Sequence, residues 1–362
     1  MSLEYDYRDD GAAEMPLSKD ELHSLFVTVA TSDQPQANQA LTQINHFIGS
    51  AQGWNPNNYS EGYFTPTYLT DSGMDFEDAI QCATDLERTR LFVQGVYANV
   101  TRKLSQDTGG PIVIVEAGPG TGILLLAAVL FGEGQIQAIG LEINAQTKQK
   151  IDQLIEKADL SNAISIIQSD ATTHEFSRTS FIDLFISENL HTGGFNEPQD
   201  QIIANLRKYM KTDCTLIPEA IELSMQLAHS SYWETTDETE VEADKVADTI
   251  TVFTRPHVYS RIHYSQDVHE VDATQVMTND SDAHAMVNTL ILSMSVFVGK
   301  NHRNEDIVLI PGMARFLGVP HLVRLKAENE FLFHDAKKSV TIAYTLGGSP
   351  NDMQITINDS NE

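Results

Sequence analysis

The segment that most constrains this chain is Val113-Ile-Val-Glu-Ala-Gly-Pro-Gly-Thr-Gly122. A short apolar run suited to a strand meets three glycines at alternate positions. The apolar, Ala/Leu-rich stretch from about Ile123 to Phe131 then reads as a buried helix. Gly118, Gly120 and Gly122 let the backbone turn sharply and approach a ligand with no Cβ in the way. The spacing excludes the dinucleotide fingerprint Gly-x-Gly-x-x-Gly, which needs glycine where this chain has Ile123. Such a turn also serves as a plain strand-to-helix connection, so the neighbouring elements have to decide.

Gln135-Ile-Gln-Ala-Ile-Gly-Leu-Glu142 is a second apolar run ending in a carboxylate. Glu142 stands about 20 residues past the last glycine, where an acidic side chain accepts hydrogen bonds from ribose hydroxyls. A helical pattern covers 145–158, and strand patterns cover 164–171 and 181–187. Strands alternating with helices predict an α/β fold, a parallel sheet covered on both faces, with ligands at the carboxyl ends of its strands. Glu116, the glycine turn, Glu142, Asp170 and Glu188 all fall at such ends. Taken singly, each carboxylate fits a helix cap or a solvated loop equally well.

The 362 residues allow a large core and more than one domain. Hydrophobic content of 41% and charged content of 20% are those of an ordinary globular chain. No apolar run reaches the ~18 residues of a membrane span. The acidic N-terminus lacks the apolar core of a signal peptide. Cys82 and Cys214 form neither a disulfide framework nor a metal pattern, which suits a reducing cytoplasm. A net charge of −28 argues against nucleic-acid partners, whose phosphates call for basic patches.

Three parts follow from the patterning: a helical segment over 1–60, a ligand-binding α/β part over 61–218, and a β-rich part over 219–362. In the first, Ser18 and Glu21 have capping-box spacing, and Asp33-Gln-Pro35 marks a break between two helices. A single helix is expected over about 75–104. After Pro218, period-two alternation at 221–228, 291–298, 339–346 and 353–358 predicts a mostly antiparallel region. The acidic stretch 233–249 reads as helical or mobile.

Glu116 before the tight glycine turn is similar to motif I of class I S-adenosylmethionine-dependent methyltransferases. Three further segments resemble the protein arginine methyltransferase family over about residues 60–220. Tyr63-Phe64-x-x-x-Tyr68 resembles its Tyr-Phe-x-x-Tyr opening, with one extra residue. Asp85-Leu-Glu-Arg88-Thr89 resembles its Asp-x-x-Arg-Thr helix segment. Ser187-Glu188-Asn-Leu-His-Thr-Gly-Gly-Phe-Asn-Glu197 resembles its double-glutamate loop. The resemblance implies a Rossmann-like class I methyltransferase core with a helical N-terminal part and a β-rich C-terminal domain. It also implies S-adenosyl-L-methionine as cofactor, held by Arg88 at its carboxylate, by Glu116, Gly118, Gly120, Gly122 and Glu142, and by Asp170 and Ala171 at the adenine. Glu188 and Glu197 become the candidate catalytic pair, with Tyr63, Phe64 and His191 lining the acceptor side.

A planar guanidinium, with donors in a fixed fork, is held well by two carboxylates. The expected acceptor is therefore an amine or guanidine nitrogen on a small molecule or a protein, and a homodimer is a further expectation. Other readings stay open. Glu197 could cap the helix starting near Pro198, Arg88 could pair on the helix surface with Glu87 or Asp85, Tyr63 and Phe64 could be core aromatics, and His191 could be an incidental loop residue. The chain also departs from the family. Asn189-Leu190 replaces its Trp-Met, no Thr-His-Trp tripeptide occurs, and Ala79 lies near the place of its helix histidine. A small-molecule N- or O-methyltransferase, or a silent cofactor-binding relative, are the alternatives.

Overall fold

The structure, a computed structural model, describes residues 17–55, 76–106, 110–266, 270–278, 286–301, 303–311, 313, 320–332 and 337–360. Helices α1 (Lys19–Thr31) and α2 (Gln34–Gln52) begin and end as local chemistry dictates. Ser18 and Glu21 form the expected capping box, with Ser18 N–H donating to Glu21 Oε2 at 2.7 Å. Asp33 caps α2 with Pro35 in its first turn, and Gly53 closes it in the left-handed region at φ 77°.

The helix expected over 75–104 is instead two, α3 (Phe76–Thr84) and α4 (Leu86–Leu104). Asp85 takes an extended conformation between them, and its Oδ1 accepts from the Arg88 N–H at 3.2 Å. A short acidic side chain competes for backbone donors, so it breaks a continuous apolar pattern and caps the second helix. This sets Arg88 in the first turn of α4.

Strands β1 (Ile112–Ala117), β2 (Ile136–Glu142), β3 (Ile164–Gln168), β4 (Ile182–Ser187) and β5 (Met210–Ile217) form one sheet in the order β3-β2-β1-β4-β5. Every pair is parallel. Helices α5 (Ile123–Phe131), α6 (Ala145–Lys157) and α7 (Gln199–Leu206) connect the strands. All residues of α5 are buried, as an all-apolar helix must be. The strand order reverses between β1 and β4, which leaves a crevice at their carboxyl ends.

Sheet character changes after Pro218. The strands that follow are β6 (Ala220–Ser230), β7 (Glu240–Glu242), β8 (Ile250–Val252), β9 (His257–His263), β10 (Glu270–Met277), β11 (Met286–Val287), β12 (Thr289–Lys300), β13 (Asp306–Leu309), β14 (His321–Arg324), β15 (Phe331–Leu332), β16 (Lys338–Thr345) and β17 (Gln354–Asp359). A seven-stranded antiparallel sheet runs β7-β14-β12-β6-β8, with β13 on β12 and β9 on β6. β10-β16-β17 form a second sheet. The stretch 233–249 is neither one helix nor shapeless. It holds β7 between short 3-10 turns at Ser231–Glu234 and Ala243–Thr249, because Val241 packs opposite Leu322 of β14. Helix α4 ties the two halves together. A Cβ on its Gly95 would stand 2.4 Å from Val298 Cγ1 of β12, so only glycine permits this approach. No helix among the described residues is long and apolar enough to cross a membrane.

Candidate functional site

At the end of β1 the chain turns through Gly118, Gly120 and Gly122, at φ 67°, 56° and 83°. The turn is closely packed. A Cβ on Gly118 would lie 2.8 Å from Asn189 Oδ1, and one on Gly122 would lie 3.0 Å from Ile151 Cγ2. Glu116 is buried on β1, and its Oε2 has no hydrogen-bond partner. Burial lifts its pKa well above the usual carboxylate range, and the nearby Glu142 adds to the effect. Glu142, buried at the end of β2, accepts from the Asn144 N–H at 2.8 Å. Burial pushes its carboxyl up to about 7 despite backbone donors at Asn144, Gly120 and Ile143. Two neighbouring buried carboxylates, one with an orphaned oxygen, suit a ligand that brings hydroxyl donors. A glycine turn without side chains beside them suits one that lies close to the backbone.

Past the end of β3, Asp170 Oδ1 accepts from Thr172 N–H at 2.8 Å and from Thr172 Oγ1 at 2.7 Å. This turn holds Asp170 at the strand end. Ala171 is buried, and its carbonyl accepts from Asn205 Nδ2 at 3.0 Å.

The loop after β4 carries both candidate catalytic carboxylates. Glu188 forms an ion pair with Arg88 of α4. The surface neighbour Glu87 pairs with Arg90 instead, at 2.5 Å. Burial pushes Glu197 up to about 7, while the Arg88 guanidinium pulls it the other way. Arg88 is thus the charged neighbour of both glutamates. Helix α7 has Pro198 at its N-cap position and no side-chain cap bond there. Cys82, at the end of α3, joins the group. Burial raises its thiol pKa, and Arg88 and Glu197 are its leading charged neighbours.

Residues that local pattern does not mark hold this loop in place. Gln199 is buried in the first turn of α7. Its Nε2 donates to Ser187 O at 2.7 Å, and its Oε1 accepts from Ser187 Oγ at 2.8 Å and from Asn189 N–H at 3.2 Å. Asn189 Nδ2 donates in turn to Ala117 O at 2.9 Å. Asn189 is the residue that departs from the family pattern, and here it seals β1 to the glutamate loop. His191 sits on the far side of that loop, its ring 5.4 Å from that of His321. His321 Nε2 in turn lies 3.1 Å from Glu240 Oε2. Burial and His321 lower the His191 pKa to about 4, so it is neutral at physiological pH. Tyr63 and Phe64 lie outside the described residues.

A reversing five-stranded parallel sheet, a glycine turn after β1, acidic residues at the ends of β2 and β3 and a loop after β4 with two glutamates near one arginine make up a class I methyltransferase fold. With helices ahead of it and an antiparallel β region behind, the arrangement is like that of protein arginine methyltransferases. No protein-family model matches the sequence. Over 139 residues, 38% of the chain, it is 27% identical to the histone-arginine methyltransferase CARMER of Culex quinquefasciatus. The match covers 21% of that relative, so the chain spans about a fifth of its length. Among solved structures, the Trypanosoma brucei PRMT1 enzyme–prozyme heterotetrameric complex with AdoHcy superposes with a TM-score of 0.59. That alignment covers 79% of this chain and 98% of that one, and at 12% identity the likeness is one of fold.

Proposed function

We propose that this chain is an S-adenosylmethionine-dependent methyltransferase acting on an amine or guanidine nitrogen. The observation that carries the reading is Arg88 in contact with Glu188 and the charged neighbour of Glu197, two glutamates on a loop whose Asn189 packs on Gly118 of the glycine turn. When bound, the cofactor supplies a methyl group made electrophilic by its sulfonium. Glu142 would accept from the ribose hydroxyls and Asp170 from the adenine amino group, and Arg88 would have donors for the methionyl carboxylate as well as for Glu188. The two glutamates hold a cationic acceptor, aim one of its nitrogens and draw positive charge away from it. Glu197, with a pKa near neutrality, takes up the proton that this nitrogen releases. Asn189-Leu190 in place of Trp-Met favours the second reading, a smaller nucleophile. We propose further that the chain works in the cytoplasm, where both of its free cysteines stay reduced, and as an assembly of chains.

Transfer of label from S-adenosylmethionine to arginine-containing peptides and to a panel of small amines tests this. Glu188→Gln keeps the shape and removes the charge. It should lower kcat by about 10²-fold while leaving affinity for S-adenosylhomocysteine unchanged. Label on small amines and none on the peptides would make the chain a small-molecule N-methyltransferase. Binding without transfer to any acceptor would make the chain a silent relative.

A further inference from the structure

We infer that Tyr344 of β16 is a positioning residue for the glutamate pair, because its hydroxyl holds the crest of the loop that carries them. The inference rests on the methyltransferase reading of that loop. Glu188 and Glu197 stand at the two feet of the loop. The first foot is anchored inside the parallel-sheet half, by Arg88 and by the Gln199, Ser187 and Asn189 bonds. The crest is bonded to the other half. Tyr344 Oη donates to Gly193 O at 2.8 Å. Gly347 N–H donates to Gly194 O at 2.7 Å, and Asn196 N–H donates to Gly348 O at 3.0 Å. Phe195 is fully buried against the Tyr344 ring, with 4.6 Å between centroids.

A second tyrosine stands behind the first. Tyr259 Oη of β9 lies 2.9 Å from Tyr344 Oη. Tyr344 gives its proton to Gly193 O, so Tyr259 donates to Tyr344. Burial raises both phenol pKa values, which keeps both hydroxyls protonated and the chain of donors in one direction.

The loop backbone needs this support. Gly193, Gly194 and Asn196 lie in the left-handed region at φ 79°, 74° and 58°. A Cβ on Gly193 would stand 2.4 Å from Phe195 Cε2. Within the loop, Gly194 N–H donates to His191 O at 2.9 Å and Glu197 N–H to Phe195 O at 2.6 Å. Three bonds to β16 and the turn after it hold the crest against the β-rich half. Glu197 follows Phe195 by two residues, so a shift of the crest carries over to Glu197, whereas Glu188 is anchored separately. Tyr344 thus fixes one carboxylate relative to the other, and a misplacement of ~1 Å costs on the order of 10²-fold in rate.

Tyr344→Phe keeps the ring on Phe195 and removes the donor. It should lower kcat by about tenfold or more and leave S-adenosylhomocysteine affinity within about twofold. Hydrogen exchange of the 193–197 amides should rise, with the β1 and β2 amides unchanged. Tyr259→Phe should give a smaller loss of the same kind, and the double variant should be no worse than Tyr344→Phe, since Tyr259 acts through Tyr344. Wild-type kcat together with unchanged exchange over 193–197 would overturn the inference. So would parallel losses of kcat and product affinity with exchange raised throughout, the signature of a merely structural tyrosine. If the wild type methylates no acceptor, the functional reading fails on its own. The exchange comparison still decides whether Tyr344 holds the loop.

Discussion

Arg88 illustrates how one residue acquires its role. Its place in the chain follows from Asp85, whose side chain breaks the helix and starts α4 there. Its pairing with Glu188 follows from the sheet, which brings the end of β4 to the first turn of that helix. A guanidinium has more donors than one carboxylate can use, so a second carboxylate can share it. Arg88→Ala should therefore weaken binding of S-adenosylhomocysteine by about 1.5–3 kcal/mol and hardly affect adenosine, which lacks the carboxylate. Calorimetry with both ligands checks this, and equal losses would make Arg88 purely structural.

Among the elements, α2 does more than cover the core. Asn45 Nδ2 donates to Ala83 O at 3.2 Å, at the junction before α4. Gln52 Nε2 donates to Thr121 O at 2.9 Å, in the glycine turn. Lys150 Nζ of α6 donates to Gln52 O at 2.6 Å. One helix thus touches three elements that surround the site. Gln52 is fully buried, and its loss leaves the Thr121 carbonyl without this donor. Gln52→Ala should lower stability by about 1–3 kcal/mol, read as a drop in the thermal midpoint. Added S-adenosylhomocysteine should recover less of that midpoint than in the wild type, because the glycine turn is then held from one side only.

At the scale of the whole molecule the site carboxylates make stability depend on pH. Glu142 and Glu197 sit at about 7, and Glu116 is raised well above its usual range, against about 4.3 for an unfolded glutamate. Between those values the folded chain binds more protons than the unfolded one, so stability falls as pH rises. His191, at about 4 in the fold, has the opposite sign. It binds fewer protons when folded, and its contribution is lost as pH falls below about 6.5. His174, lowered by partial burial, acts in the same sense as His191. Three well-buried carboxyls outweigh these two histidines. The thermal midpoint should rise from about pH 7.5 to about pH 6. Glu142→Gln should flatten that rise, and an unchanged profile would mean that Glu142 keeps an ordinary acidity.

Local chemistry alone specified the glycine turn, the caps at Ser18 and Asp33, the alternation of strands and helices up to residue 217 and of strands after it, and the acidic residues at the strand ends. Each is written in consecutive residues, because backbone sterics and side-chain periodicity act over a few positions. The break at Asp85 was legible in principle, but an unbroken apolar stripe hid it. What local pattern leaves undetermined is which distant groups meet. The pairing of Arg88 with Glu188 and the bond from Gln199 to Ser187 depend on the β1–β4 reversal. The order of strands is decided by packing the whole core, so no short window contains it. Tyr344 reads as one more inward residue of an alternating strand, and nothing local marks Tyr259. Only when β9 and β16 come together behind residues 193–195 do two ordinary core phenols become a hydrogen-bonded prop beneath a loop distant in the sequence from both.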